Sequence, residues 1–172
     1  MAAYNSIDLD RLALGAGEGR RFDLEVDPGE LELGGQAYAL APDPVPARLD
    51  VSRTAAGHAL RLRFAGRMDG PCTRCLGEAT IQVEVEAREV DQPQSGDEEL
   101  RSPYVAEGEL DLAGWAHDAL ALAVPTKVPC RADCAGLCPV CGESLNDAPS
   151  GAHNHERPPD PRWEKLRGLQ LE

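Results

Sequence analysis

Apolar and polar residues alternate through much of the first half of the chain. In "RRFDLEVD", Phe22, Leu24 and Val26 fall on one side and Asp23 and Glu25 on the other, the period of a half-buried strand. "LELGG" repeats the pattern briefly. "APDPVPAR" is Pro-rich and is expected to be a connection or an edge, because proline cannot donate to a ladder. "ARLDVSRTAAGHALRLRF" reads as a hairpin, with Leu49 and Val51 inward on one arm and Leu60, Leu62 and Phe64 inward on the other. Gly57 supplies its turn. "ATIQVEVEAREV" then places Ile81, Val83 and Val85 inward and Gln82, Glu84 and Glu86 outward.

The period then changes. "DQPQSGDEELRSPYVAEGE" has none, and is expected to be a loop or partly disordered. In "LDLAGWAHDALALAVP", Leu112, Trp115, Ala116, Ala119, Leu120 and Ala123 recur at helical spacing, which predicts a helix over about 111–124. Asp111 is its N-cap and Pro125 its stop, while Gly114 weakens it slightly. "DPRWEKLRGLQ" predicts a short terminal helix, with Asp160 as N-cap, Pro161 in the first position, and faces defined by Trp163, Leu166 and Leu169 or Gln170. The expected fold class is α+β: an antiparallel β-sheet or partly open barrel with one main helix, a zinc-knuckle segment and a short terminal helix. The expected organisation is a β-rich domain with its helix over residues 1–125. A cysteine/histidine-rich metal-binding tail with the terminal helix follows over residues 126–172.

Composition adds a need for reinforcement. Only 4% of the 172 residues are aromatic, and 17 Gly and 14 Pro imply much turn and loop, so the core should be thin. A structural metal is one common remedy. The net charge of −13 opposes a broad electrostatic grip on nucleic acid and suits basic protein partners. The opening "MAAYNSIDLDRLALG" has neither a basic region nor an apolar run of the kind a signal peptide needs, and no segment approaches membrane-spanning length. A cytoplasmic protein with no membrane partner is expected. In that compartment Cys-x-x-Cys pairs bind metal more often than they form disulfides.

The candidate metal ligands are Cys72, Cys75, Cys130, Cys134, Cys138, Cys141, His153 and His155. "CTRC" falls between two predicted strands, flanked by Gly70, Pro71 and Gly77, and so belongs at a hairpin tip. "CPVCG" is a tight turn that can aim two thiolates at one ion, with Gly142 relieving crowding; "CTRCLG" has the same form with Gly77 one place later. His153 and His155, two apart, share a face in extended chain. Cys138, Cys141, His153 and His155 make one complete tetrahedral set, and Cys72, Cys75, Cys130 and Cys134 another. The latter would clip the hairpin tip to the segment after the helix. A single zinc-ribbon site from Cys72, Cys75, Cys138 and Cys141, or free thiols and disulfides, are the alternatives. One or two structural zinc ions are expected.

No recognition helix fits "GESLNDAPSGA", which carries Pro149 and Gly151. A thiol redox site would place its Cys-x-x-Cys at a helix start, unlike "CTRC". No phosphate loop, nucleophile elbow or metalloprotease motif is present, and no small-molecule substrate is implied. His58, in a turn, and His117, on the outer side of the helix, are expected to be solvated. Trp115 is expected in the core. Trp163, beside Arg162, Lys165 and Arg167, is expected to pack the last helix onto the body; contact with RNA or protein is the other reading.

The order of "PCTRCLG", an acidic linker, "DLAGWAHDALALAVP", "CRADCAGLCPVCGESLN" and "DPRWEKLRGL" resembles the YceD-like family, the large ribosomal RNA subunit accumulation proteins. The resemblance is most specific from Cys72 to Leu169. It implies a non-enzymatic ribosome biogenesis role, supporting accumulation of large-subunit ribosomal RNA. Cys72, Cys75, Cys130, Cys134, Cys138 and Cys141 match the family's cysteine pattern; His153 and His155 stand where some relatives have another cysteine pair. Given the acidity, the expected partner is a basic ribosomal protein or pre-ribosomal particle, with ribosomal RNA engaged indirectly. The alternative function is a zinc-ribbon nucleic-acid-binding or transcription-related module.

Overall fold

A computed structural model describes residues 4–149, 151–155 and 162. In chain order its strands are β1 (Ser6–Asp8), β2 (Gly19–Val26), β3 (Leu31–Leu33), β4 (Gln36–Ala41), β5 (Val45–Arg53), β6 (His58–Pro71), β7 (Glu78–Asp91), β8 (Val105–Ala106) and β9 (Glu109–Asp111). One helix, α1 (Leu112–Ala123), follows β9 directly. The molecule is thus mostly antiparallel sheet with one main helix, and among the described residues no strand pairing closes the sheet into a barrel.

The long strand β6 organises the main sheet. One edge pairs along its whole length with β7, from His58↔Asp91 to Pro71↔Glu78. The other edge is shared: Ala47–Arg53 of β5 face Phe64–His58, and Ala39–Ala41 of β4 face Asp69–Arg67. β2 adds outside β5, and β3 outside β4. The Pro-rich stretch is the excursion between β4 and β5. Pro46 itself lies in β5, opposite Glu25 of β2, where β5 has already left β6, so its missing N–H costs no bond to β6.

The alternation read from the sequence is the alternation of the sheet. Leu49, Val51, Leu60, Leu62, Phe64, Val83 and Val85 are buried on the inner face. Met68 extends that face towards the far end of β6. α1 covers it with Leu112, Trp115, Ala116, Ala119 and Leu120, and Tyr104 stacks on Trp115. Asp111 caps α1 by accepting from the Gly114 N–H at 2.9 Å. A Cβ at position 114 would strike that carboxylate, so Gly114 fits the cap it seemed to weaken.

The outer face is a lattice of ion pairs. Asp50 joins Arg21 and Arg63, Asp23 joins Arg48, and Glu86 joins Arg61 and Arg88, at 2.6–2.9 Å. Exposed pairs of this kind each add little stability.

Three expectations need correction. The segment after β7, expected to be a loop, contains a 3-10 turn (Glu98–Leu100) and the β8–β9 hairpin, and β9 also pairs with the unanticipated β1. His58 is not a solvated turn residue. It is the first residue of β6, only 6% exposed, with its Nε2 3.2 Å from Arg53. His117 is half-buried, with Nδ1 2.8 Å from the Pro28 carbonyl oxygen. The terminal helix expected from Asp160, with Trp163, Lys165, Arg167 and their neighbours, lies outside the described residues apart from Arg162, which is exposed.

Candidate metal centre

The eight sulfur and imidazole donors gather into two groups of four. Cys72, Cys75, Cys130 and Cys134 form one, and Cys138, Cys141, His153 and His155 the other; within each group the donor atoms lie within 4.8 Å of one another. Cys138 and Cys141 therefore sit with the histidines, not with Cys72 and Cys75.

Two chain segments build the first group. The six residues between β6 and β7 form a tight loop, closed by Cys72 N–H to the Gly77 carbonyl at 2.6 Å and Leu76 N–H to the Cys72 carbonyl at 3.0 Å. The segment after α1 is laid against this tip. Thr73 N–H donates to the Val128 carbonyl at 2.9 Å, and Val128 N–H donates back to Thr73 Oγ1 at 3.2 Å. Buried Val128 fixes that approach from below. The result sets Cys72 Sγ 3.8 Å from Cys134 Sγ and Cys75 Sγ 3.6 Å from Cys130 Sγ. Two thiolates held about 2.3 Å from a tetrahedral zinc stand roughly 3.8 Å apart, so both spacings suit a shared ion. All six cysteines are unbridged.

The thiols are not equivalent. Burial pushes Cys72 up, but the Arg74, Cys75 and Cys130 backbone N–H groups outweigh it and bring its thiol down to about 6. Cys130 is pushed up to about 12, by burial and then by its sulfur neighbours Cys75, Cys134 and Cys72. A cluster in which one thiol is already poised as thiolate, and the rest hold protons only because they crowd it, is one that a dication would complete.

The second group hangs on the first. Gly142 N–H donates to the Cys138 carbonyl at 2.9 Å, and Cys138 N–H to the Glu143 carbonyl at 2.8 Å, which turns both thiols the same way. The backbone N–H groups of Cys141 and Val140 hold Cys138 below the usual thiol range. His153 Nδ1 lies 3.3 Å from Cys141 Sγ, and the His155 ring is 5.8 Å from the His153 ring. Cys138 is buried, whereas Cys141 and His155 are exposed, so this group is far more open than the first.

Two residues absent from the sequence-based candidates matter here. Glu143 Oε2 stands 4.0 Å from His153 Nε2, on the far side of the ring from Cys141, where a carboxylate orients a ligating imidazole. Asn146 joins the groups: its Oδ1 accepts from Ala135 N–H at 2.7 Å, and its carbonyl accepts from Arg131 at 3.0 Å. Neither carries a spacing signal of its own.

The two turns also differ at the residue after the second cysteine. Gly142 has φ +76°, as expected for the left-handed position. In the first turn that position belongs to Leu76, at φ +60° and 60% exposed, and not to Gly77.

A β-sheet protein with one helix and two Cys/His groups able to hold metal ions is the class these features define. Residues 60–170 match the family model described as "Large ribosomal RNA subunit accumulation protein YceD", and the chain belongs to that family. The family is thus described by a role in accumulating large-subunit ribosomal RNA, with no catalytic activity in that description. The chain is 38% identical over 102 residues to an uncharacterized protein of Mycobacterium tuberculosis, covering 56% of this chain and 48% of that protein. It is 36% identical over 114 residues to an uncharacterized protein of Mycobacterium leprae, covering 61% and 51%. The chain spans about half the length of the curated relatives it matches. No solved structure gives a significant match. Among the described residues no helix is long and apolar enough to cross a membrane.

Proposed function

We propose that this chain is a non-enzymatic ribosome biogenesis factor. It supports accumulation of large-subunit ribosomal RNA by binding a basic ribosomal protein or an assembly intermediate in the cytoplasm, and it engages the RNA only indirectly. The observation that carries this reading is the gathering of all six cysteines and two of the four histidines into two groups of four, inside the family-matched region. Four protein donors complete a tetrahedral zinc, whereas a catalytic zinc keeps one position for water. Zinc in these groups would supply fixed geometry and neutralise thiolates. Cys72, Cys75, Cys130 and Cys134 would hold one ion and staple the hairpin tip to the segment after α1. Cys138, Cys141, His153 and His155 would hold the other.

On this reading residues 1–125 are the β-rich body and residues 126–172 the metal-binding tail that it carries. Electrostatics favours a cationic protein partner over RNA. The chain carries −13 overall, and the arginines of the outer sheet face are matched by Asp23, Asp50 and Glu86. A phosphate backbone would find no uncompensated cation field on that face.

The test is to sediment tagged protein from cells on a gradient and, separately, to titrate purified protein with large-subunit ribosomal RNA at physiological salt. Co-sedimentation with large-subunit precursors, and weak binding to naked RNA, is the expected pair of results. Tight binding to naked RNA without any ribosomal protein would overturn the reading.

A further inference from the structure

β7 is 14 residues long and pairs with a single neighbour, β6. Its second edge runs for roughly 46 Å at ~3.3 Å per residue. Among the described residues, no backbone group outside β6 hydrogen-bonds to residues 78–91. Long edges are usually interrupted by proline, a bulge or a covering element, because an unpaired ladder recruits other strands. β7 contains no proline, and its register with β6 is unbroken from end to end. What guards this edge is charge: Glu78, Glu84, Glu86, Glu89 and Asp91 against the lone cation Arg88.

These acids are not equally engaged. Glu86 is committed to Arg61 and Arg88. Glu89 is half-buried near Tyr104, and Asp91 is buried. Glu78 and Glu84 are exposed, and among the described residues neither joins an ion pair. They share the outer face of the strand with Thr80 and Gln82, while Ala79, Ile81 and Val83 face the core side. At the start of the strand, a depression of about 690 Å³ is lined by Asp69, Pro71, Leu76, Glu78 and Thr80, with exposed Leu76 at its rim.

We propose that the outer edge of β7 receives an extended, lysine- and arginine-rich segment of a partner protein, which adds to the sheet as a further strand. Its cations would meet Glu78 and Glu84, and its alternate residues would fall on the apolar side. The same acids repel a second copy of β7, so the edge is selective for a strand of opposite charge. This inference rests on the reading that the chain acts by binding a basic protein, and names the surface that does so.

The test uses the full chain and two synthetic peptides: an alternating Lys–Val decapeptide, and one of equal charge with proline in place of valine. The Lys–Val peptide is expected to slow amide hydrogen exchange within residues 78–91. The Pro peptide, which lacks N–H donors at alternate positions, should not. The double substitution Glu78→Lys, Glu84→Lys should weaken Lys–Val binding at least tenfold. Glu84→Gln alone should weaken it less, which keeps the test open if the double variant folds poorly. Unchanged exchange in β7, equal binding of the two peptides, or equal binding by Glu84→Gln and the parent chain would overturn the proposal. Gradient sedimentation separates the two levels. If the parent chain and Glu84→Lys sediment equally with large-subunit precursors, the edge proposal fails and the assembly role stands. If the parent chain sediments with none, the assembly role fails, and the peptide experiment decides the edge on its own.

Discussion

Cys72 Sγ and Cys134 Sγ lie 3.8 Å apart although 62 residues of chain separate them. Between them run all of β7, the β8–β9 hairpin and α1. A bond through a shared ion at this point restrains the unfolded chain much as a long-range cross-link does.

Removing the first metal should therefore cost the whole body stability. By analogy with cross-links of similar loop length the loss is about 4 kcal/mol, and at ~2–4 °C per kcal/mol Cys72→Ser should lower Tm by roughly 10 °C. Thermal unfolding of the metal-loaded chain and the variant measures it. A shift under 2 °C would mean that no ion ties the two segments.

Removing the second should be local. Cys141 is exposed and its group contacts the body through the Asn146 junction. Cys141→Ser should release one ion while leaving Tm of the body within a few degrees, and a chelator should strip this group before the first. Metal release followed by mass spectrometry, with a melt on the same sample, checks both.

Leu76 and Gly142 occupy the same left-handed position in their turns, at φ +60° and +76°. A side chain there costs about 1–2 kcal/mol. Leu76→Gly should raise stability by up to about 1 kcal/mol, since glycine's extra freedom in the unfolded chain offsets part of the relief. Gly142→Ala should lower the metal affinity of the second group. If Leu76→Gly is neutral in stability yet weakens partner binding, the strained leucine is retained for recognition, as its exposure at the rim of the depression suggests.

His58 makes stability depend on pH. Burial lowers its pKa, Arg53 beside it lowers it further, and Asp91 and Asp10 offset only part of this. Its folded pKa lies below the unfolded value of about 6.5, so as pH falls below that value the unfolded chain takes up the proton first. Stability conferred by the neutral imidazole is present above about pH 6.5 and is lost on acidification. His58→Gln should lower Tm at pH 7.5 but flatten its decline towards pH 5.5, and parallel declines in parent and variant would contradict this assignment.

How much of this was legible beforehand differs from element to element. Strict alternation in residues 22–26, 49–51, 60–64 and 81–85 marked the strands, because each keeps one face in the core. Asp111 and Pro125 marked the ends of α1 for the same local reason. β1, β8 and β9 escaped because strands of two or three residues carry no period; their stability comes from pairing across more than a hundred residues, as Ser6 with Asp111. His58 was misread because "AAGHA" looks like a turn, while the turn ends one residue earlier. Counting donors and spacings suggested two sets of four without excluding one ribbon. The hydrogen bonds between Thr73 and Val128, which no motif announces, are what bring Cys130 and Cys134 to the hairpin tip.

Metal content per chain tests the central claim most directly. Elemental analysis and native mass spectrometry should find about two zinc ions in the parent chain, matching the two donor groups, one in Cys72→Ser and one in Cys141→Ser. A single ion that is lost equally on Cys72→Ser and Cys138→Ser would replace two staples with one ribbon site. No ion at all, with all six thiols rapidly alkylated, would contradict the account outright.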